Sequence, residues 1–454
     1  MNQTYKIDGA LYAKMLHSAA VNLRNNAITV NELNVFPVPD GDTGENMSRT
    51  IEGGAAAVGD EKSIGEVAAK SARGMLLAAR GNSGVILSQF FGGARKGFDG
   101  VVEAGVKELK AAFALGVKQS YAAVQKPTEG TMLTVMREAT ERATSVDDNA
   151  SVEEYFGVFI EEMYDSLDRT PELLPVLKEA GVIDSGGAGF TYIIEGMLAA
   201  VKGEPVTVKV ENADAKPTGG VVRNRFERRA PKKERKKFAC VTVADGDGLI
   251  EQFRSLGADY VIDGKQTMNP STNDFITAFD AVNADVIFVM PNNSNIILAA
   301  NQAAELYDKS RVVVIGSKTL AEGYAAMSML DYSPNDADEI KSAFEEAISG
   351  VTTGLVSYSI RDCKLGGRDI KKGDFLGLAD KTPISNGKSE AAVACELLDK
   401  IVTDDTAVVM AIRGKNADPK SIGAIAEYMQ KNKSAEFYDF DGGQDVYSFI
   451  FVVE

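Results

Sequence analysis

The hydrophobic period of this chain changes twice, and that divides it. From the start to about Val201 the spacing is helical: Leu11, Met15, Ala19 and Leu23 recur at four-residue steps, on one helix face. Further helical runs read as 46–58, 64–79, 83–96, 104–124, 131–144, 152–167, 171–180 and 187–201. The joins are short and marked by Gly or Pro, and strand patterns are scarce. An all-α bundle of about eight helices is expected. Then Pro217, Gly219 and Gly220 lead into Arg223, Arg225, Arg228, Arg229, Lys232, Lys233, Arg235, Lys236 and Lys237. This stretch has little to bury and reads as an exposed tether, although a basic run could also grip an acidic partner, a membrane or nucleic acid. Beyond it, short β-branched runs at 238–243, 260–262, 286–290 and 311–315 alternate with helical segments at 249–256, 272–282, 296–306 and 320–329. That alternation predicts a parallel α/β sheet. From Val351 the pattern is richer in strand and less regular, with a last strand over 447–453. The expected organisation is a helical domain over 1–205, a basic tether over 206–237 and an α/β domain over 238–454.

Composition excludes several functions. A net charge of -16 argues against a chain that binds nucleic acid along its length. It does not exclude ATP, whose charge magnesium can meet locally. Cys240, Cys363 and Cys395 show neither zinc-ligand spacing nor a redox pair, which suits a reducing compartment. The first residues lack an apolar signal core, and no stretch approaches a membrane span. A cytoplasmic protein, not an integral membrane one, is expected. The one histidine, His17, lies in a helical pattern and reads as a packing or surface residue. A two-histidine zinc motif is impossible, so chemistry must run on carboxylates, amides, hydroxyls, basic side chains or metal.

Four polar, Gly-rich segments precede or open helices. In NVFPVPDGDTGENM (34–47), Asp40 and Asp42 stand two apart across a glycine. A turn can bring both carboxylates to one cation, and hard oxygens suit magnesium. The same string reads as a turn in which Asp42 or Thr43 caps a helix beginning near Glu45. In ARGNSGVIL (79–87), Gly81, Asn82, Ser83 and Gly84 open an apolar helix, either as an anion site or as an ordinary N-cap. The segment lacks the spacing and the Lys of a Walker loop. KPTEGTML (126–133) brings Gly130, Thr131 and Met132 to another helix start. AGVIDSGGAGF (180–190) brings Asp184 and Gly186, where Asp184 could hold a ribose hydroxyl or a water. Each alone can be a turn; gathered at one rim they would form a cup for phosphate and metal.

These strings, with LKEAGVIDSGGAGF (177–190), resemble the nucleotide domain of the fatty acid kinase A family, which is related to the L subunit of dihydroxyacetone kinases (DhaL type). QTMNPST (266–272), PNNSNIILAA (291–300) and GGQDVYSFIFVVE (442–454) resemble that family's C-terminal domain, similar to DegV-type fatty-acid-binding proteins. The resemblance implies an eight-helix barrel followed by an α/β domain. It implies that Asp40 and Asp42 hold Mg2+ against the ATP phosphates, as the catalytic and metal residues. Asn34 falls near a third aspartate of the dihydroxyacetone kinases. By the same resemblance Thr43, Asn46, Gly81, Asn82, Ser83, Gly84, Gly130, Thr131, Met132, Asp184 and Gly186 bind nucleotide. The implied reaction is transfer from ATP to a fatty-acid carboxylate presented by a DegV-type partner, giving an acyl phosphate. A carboxylate is already anionic and needs no general base, which agrees with a chain holding one histidine. The family usually carries a middle domain with Cys and His residues that helps it dimerise. Here the basic run stands in its place, and a homodimer is left open. Two other readings remain: a kinase of a small polyol such as dihydroxyacetone, and a nucleotide-binding regulatory protein without phosphotransfer. Asn269, Ser271, Thr272, Asn292, Asn293 and Asn295 sit at strand ends before helices, where ligands or capping explain them equally. None of the six is expected to be catalytic.

Overall fold

The computed structural model describes residues 3–34, 41–208 and 235–454, apart from 266, 360, 361, 366 and 381. Its first part holds α1 (Gly9–Leu33), α2 (Thr43–Ala56), α3 (Ile64–Ala78), α4 (Gly81–Gly97), α5 (Val106–Ala122), α6 (Met132–Ala143), α7 (Val152–Leu173), α8 (Pro175–Ala180) and α9 (Ser185–Val201). Eight of these close a ring, each packed on the next from α1 to α7 and then through α9 back to α1. The expected barrel is therefore present, with the six-residue α8 as an extra connector. Met15, Ala19 and Leu23 of the repeating stripe are fully buried. Along α9 most residues are buried, leaving a partly exposed stripe through Tyr192, Glu195 and Ala199. The helix lies close against α1, where a Cβ on Gly196 would come within 2.6 Å of the Ala19 Cα. Phe90, Phe113, Phe159 and Phe190 fill the middle in edge-to-face pairs, with centroids 4.9 Å apart for Phe90 and Phe190.

One helical boundary differs from expectation. The sequence reads a break before Pro171, but α7 continues through it to Leu173. Proline has no N–H for the Leu167 carbonyl; the Thr170 hydroxyl donates to that carbonyl instead, at 2.7 Å. The break comes at Leu174, extended at φ -123° and ψ 102°, as the residue before Pro175 prefers.

The two rims of the ring are built differently. At one, the starts of α1, α3, α5 and α7 are stitched by backbone hydrogen bonds: Ile7 with Ala104, Gly9 N–H to Lys62 O, Ile64 N–H to Val102 O, and Val152 N–H to Thr4 O. Asp8, Ser63 and Ser151 cap α1, α3 and α7 with their side chains. Because the ring runs up and down, α2, α4, α6 and α9 start at the opposite rim.

The second part opens with β1 (Lys236–Ala244), α10 (Asp247–Ser255), β2 (Tyr260–Asp263), α11 (Thr272–Val282), β3 (Ala284–Met290), α12 (Ile297–Leu306), β4 (Arg311–Val314), α13 (Leu320–Ser328) and α14 (Ala337–Ser349). The four strands form a parallel sheet in the order β2-β1-β3-β4, as the alternation predicts. Lys236 and Lys237, read as the end of a tether, begin β1; residues 209–234 of that tether lie outside the described residues. The chain ends with β5 (Thr352–Tyr358), β6 (Cys363–Leu365), β7 (Arg368–Ile370), β8 (Phe375–Ala379), β9 (Thr382–Gly387), α15 (Glu390–Ile401), β10 (Val408–Arg413), α16 (Pro419–Asn432), β11 (Glu436–Asp441) and β12 (Phe449–Val453). These form a mixed six-stranded sheet, β11-β10-β12-β5-β8-β9, and the hairpin β6-β7. Helix α13 packs on β12 and β5, joining the two sheets through one core.

The helical and α/β parts share an apolar interface. Ala79 and Val85 of the ring belong to the same buried cluster as Phe275, Phe279, Ala299 and Ala303. Gln302 on α12 is buried in this interface: its Nε2 donates to Leu76 O at 2.8 Å, and its Oε1 accepts from Gln89 at 2.9 Å. No helix among the described residues is long and apolar enough to cross a membrane.

Candidate active site

The rim where α2, α4, α6 and α9 begin carries the four segments singled out in the sequence. Asp42 precedes α2 with φ -108° and ψ -3°, and its side chain makes no capping bond. The helix starts at Thr43, earlier than expected. Its capping is done from elsewhere: Asn31 Oδ1 accepts from Gly44 N–H at 2.7 Å. The capped-turn reading of Asp42 therefore fails, and its carboxylate is free for another use. That carboxylate is buried. Burial pushes its pKa above the ordinary value, against hydrogen bonds from the Asn46 and Asn269 side chains. Asp40 lies outside the described residues.

The other starts lie against this one. Gly81 opens α4 at φ +57°, a backbone that favours glycine. A Cβ there would come within 2.6 Å of Asn46 Nδ2. Gly84 lies equally close to α2, with Thr50 Oγ1 at 2.5 Å from the same imagined atom. Thr43 Oγ1 accepts from Asn34 Nδ2 at 2.9 Å and from Ser185 Oγ, at the start of α9, at 3.3 Å. Gly186 rests on Met132, where a Cβ would meet the Met132 Cβ at 3.2 Å. The order across the rim is thus α4, α2, α9, α6.

Neither α4 nor α6 receives a side-chain cap bond from its own N-cap residue. Thr131 could cap α6, but its hydroxyl donates back to Thr128 O at 2.7 Å, and Gly130 N–H is taken by Thr134 Oγ1. The first-turn N–H groups of α4 left this way favour an anion, whereas at α6 the Met132 N–H is taken by Asp184. Asn82 and Ser83 are half-buried, and their side chains have no hydrogen-bond partner among the described residues. Asp184 is the exception, since it caps α9 by accepting from Gly187 N–H at 2.7 Å. Burial pushes its carboxyl up to about 6, against backbone N–H groups of Gly187, Met132 and Gly186. Its carboxylate therefore ties α6 to α9.

Two residues not expected in the site reach it. Asn269, from the loop after β2, donates through Nδ2 to Asp42 Oδ2 at 2.9 Å and to Asn46 Oδ1. Arg80 holds the Asn269 carbonyl through Nη1 at 2.8 Å and lies 3.5 Å from Asp274. A cavity of about 290 Å³ opens beside Arg80, Lys265 and Asn269, at the carboxyl end of β2. Of the other asparagines and hydroxyls weighed with Asn269, Ser271 caps α11 and Asn292 bonds Thr242 and the Val243 carbonyl. Those two serve the fold.

Magnesium is the metal that this donor set suits. Carboxylate and amide oxygens are hard ligands, and Asn269 Oδ1 is buried with no partner among the described residues. No group of three or more His, Cys, Asp or Glu side chains gathers for a metal among those residues. A magnesium ion that shares substrate phosphates needs only one or two carboxylates.

A profile described as DAK2 domain matches residues 37–199, and a FakA-like profile for the C-terminal part of fatty acid kinase A proteins matches residues 239–454. Protein YloV of Bacillus subtilis (strain 168) is 34% identical over 552 aligned positions, covering 99% of this chain and 99% of that protein. Uncharacterized protein SAR1202 of Staphylococcus aureus (strain MRSA252) is 32% identical over 550, covering 99% of this chain and 100% of that one. Both alignments exceed the 454 residues of this chain, so the relatives carry residues that it lacks. Among solved structures, the dihydroxyacetone kinase from C. freundii in complex with AMP-PNP and Mg2+ is 18% identical, covering 43% of this chain and 35% of that one, with a TM-score of 0.34. DegV, a fatty acid binding protein from Bacillus subtilis, is 12% identical, covering 48% and 99%, with a TM-score of 0.35. With a relative 34% identical across nearly all of both chains, and the two profiles falling on its two parts, this chain belongs to the fatty acid kinase A family.

Proposed function

We propose that the chain transfers phosphate from ATP, with magnesium, to the carboxylate of a fatty acid presented by a DegV-type binding protein. One observation carries this reading. Three of the four helix starts at one rim lack a cap from their own N-cap side chain, and the buried Asp42 carboxylate beside them is released from capping. At the opposite rim three of the four starts, α1, α3 and α7, are capped by their own N-cap side chains, and the starts are stitched together.

In this reading the first-turn N–H groups of α4, and those of α6 that Asp184 does not take, receive the phosphates, and Asn82 and Ser83 add side-chain donors. Gly81 and Gly84 let that backbone approach α2 closely. Asp42, with Asp40 beside it in sequence, holds the metal. Magnesium there supplies charge neutralisation for the phosphoryl group in transfer. Thr131, Met132 and Gly186 bound the pocket, and Asp184 keeps α6 and α9 together. A carboxylate acceptor arrives ionised, so no residue need take a proton. The family's usual setting makes the cytoplasm the site of action.

The test is ATP consumption by the full chain with three acceptors: a fatty-acid-loaded DegV-type protein, dihydroxyacetone, and none. Turnover only with the loaded protein is expected, and Asp42→Ala should abolish it while the fold remains. Turnover with dihydroxyacetone would point to a polyol kinase. Nucleotide binding without turnover under all three conditions would leave a regulatory protein.

A further inference from the structure

Asn269 stands 227 positions from Asp42 in sequence and on the other part of the molecule, yet it is 4% exposed and bonded to it. Capping does not explain its place, because Ser271 caps α11 and forms a capping box with Asp274. Several constraints fix it. Pro270 follows it and restricts its backbone, Arg80 holds its carbonyl, and its amide nitrogen is shared by two oxygens. The amide orientation is set by those neighbours. Asp42 offers only acceptors when ionised, so a flipped amide would turn Oδ1 onto a carboxylate. The chosen orientation leaves Oδ1 buried without a partner among the described residues.

We propose that Asn269 is the positioning residue that holds the Asp42 carboxylate for the divalent ion, so that the nucleotide site is complete only when the α/β part is docked on the ring. This rests on the kinase reading above. A carboxylate that does not cap its own helix has two oxygens free to turn. Asn46, from the same helix, restrains it from one side; Asn269 adds a restraint from a separate body. Carboxylates that ligate metals are oriented by such outer hydrogen bonds, and removing one typically lowers metal affinity about 10- to 100-fold.

The experiment measures binding of a fluorescent ADP (mant-ADP) to the full chain with and without magnesium, and reads the ratio of the two Kd values. It uses wild type, Asn269→Ala, Gln302→Ala and Asp42→Ala. Gln302 is a buried residue in the same interface that touches neither Asp42 nor Asn46, bonding instead Leu76 O, Gln89 and Thr272 Oγ1, so its loss weakens the interface while leaving Asn269 in place. The expected result is a magnesium-dependent gain cut about 10- to 100-fold by Asn269→Ala, unchanged by Gln302→Ala and absent in Asp42→Ala. A full gain in Asn269→Ala, with none in Asp42→Ala, overturns the role of Asn269 and spares the site. Equal losses in Asn269→Ala and Gln302→Ala also overturn it, since docking alone would then account for the effect. A gain that survives in Asp42→Ala, or is missing in wild type, overturns the reading beneath it.

Discussion

Gly81→Ala tests whether the start of α4 is shaped for its contact with α2. Gly81 sits at φ +57°, where an L-residue with a Cβ costs about 1–2 kcal/mol. The new Cβ would also come within 2.6 Å of Asn46 Nδ2. Asn46 must then withdraw and loosen its bonds to Asp42 and Asn269, at about 0.5–1.5 kcal/mol for each one lost. Together these predict a loss of about 2–5 kcal/mol. Gly84→Ala is the control. It meets the same neighbouring helix, with Thr50 Oγ1 at 2.5 Å, but on ordinary helical backbone, where alanine gains about 1 kcal/mol over glycine. Its net cost should be about 0–2 kcal/mol. Urea unfolding followed by circular dichroism gives both values, and mant-ADP binding shows whether the site goes with them. If Gly81→Ala is no less stable than Gly84→Ala and binds nucleotide like wild type, the close approach of α4 to α2 has been misread.

Asp42→Ala should abolish turnover without lowering the urea midpoint, because it removes a buried carboxylate whose charged form burial disfavours. Thr170→Val should destabilise the helical part by about 2 kcal/mol. It removes the hydroxyl that serves Leu167 O and accepts from Asp184 N–H at 3.1 Å, and the midpoint of urea unfolding would report it. Asp184→Asn should change how stability depends on pH. With its carboxyl pushed up to about 6, the folded chain keeps a proton that the unfolded chain has released, from about pH 4 upward. Wild-type stability relative to Asp184→Asn should therefore be fully present below that range and fall by about 3 kcal/mol in all as pH rises through 6; a flat difference would refute the shift. Thr131→Asp should place a capping carboxylate at α6, where the N-cap backbone is already extended at φ -125°. A gain of about 1 kcal/mol in stability is expected, together with weaker mant-ADP binding, and unchanged binding would remove α6 from the phosphate site.

Much of the fold could be read from periodicity because the signals are local. The stripe through Met15, Ala19 and Leu23, and the β-branched runs at 286–290 and 311–315, carry their own spacing. Pro171 misled for the opposite reason. Its cost depends on what serves the Leu167 carbonyl, and a neighbouring threonine does so. The helix starts with Gly81, Thr131 and Asp184 were legible as glycine-rich strings, but not their meeting, which follows from ring closure and direction. Asn269 was the least legible. In QTMNPST a serine, a threonine and an asparagine compete for one capping role, and only the structure shows that Ser271 takes it. The available signal was that surplus: one more polar side chain than the helix start needs, pinned by the proline after it.

The contrast between the two rims explains how the molecule tolerates its site. A helix start without its cap loses about 1 kcal/mol, so several together are a considerable fraction of a domain's stability. Nothing about the helices themselves requires this, since α1, α3 and α7 are capped by Asp8, Ser63 and Ser151. The offsetting interactions lie where they cannot obstruct a ligand: the stitched rim, the aromatic centre of the ring, and the apolar contact of Ala79 and Val85 with the α/β part. That last contact also brings the Asn269 loop over the starts of α2 and α4. The same docking that shelters apolar surface therefore delivers a polar side chain to Asp42. A mutation in the shared interface that leaves this loop in place should consequently lower stability and spare the magnesium-dependent gain in nucleotide affinity, whereas loss of Asn269 cuts that gain.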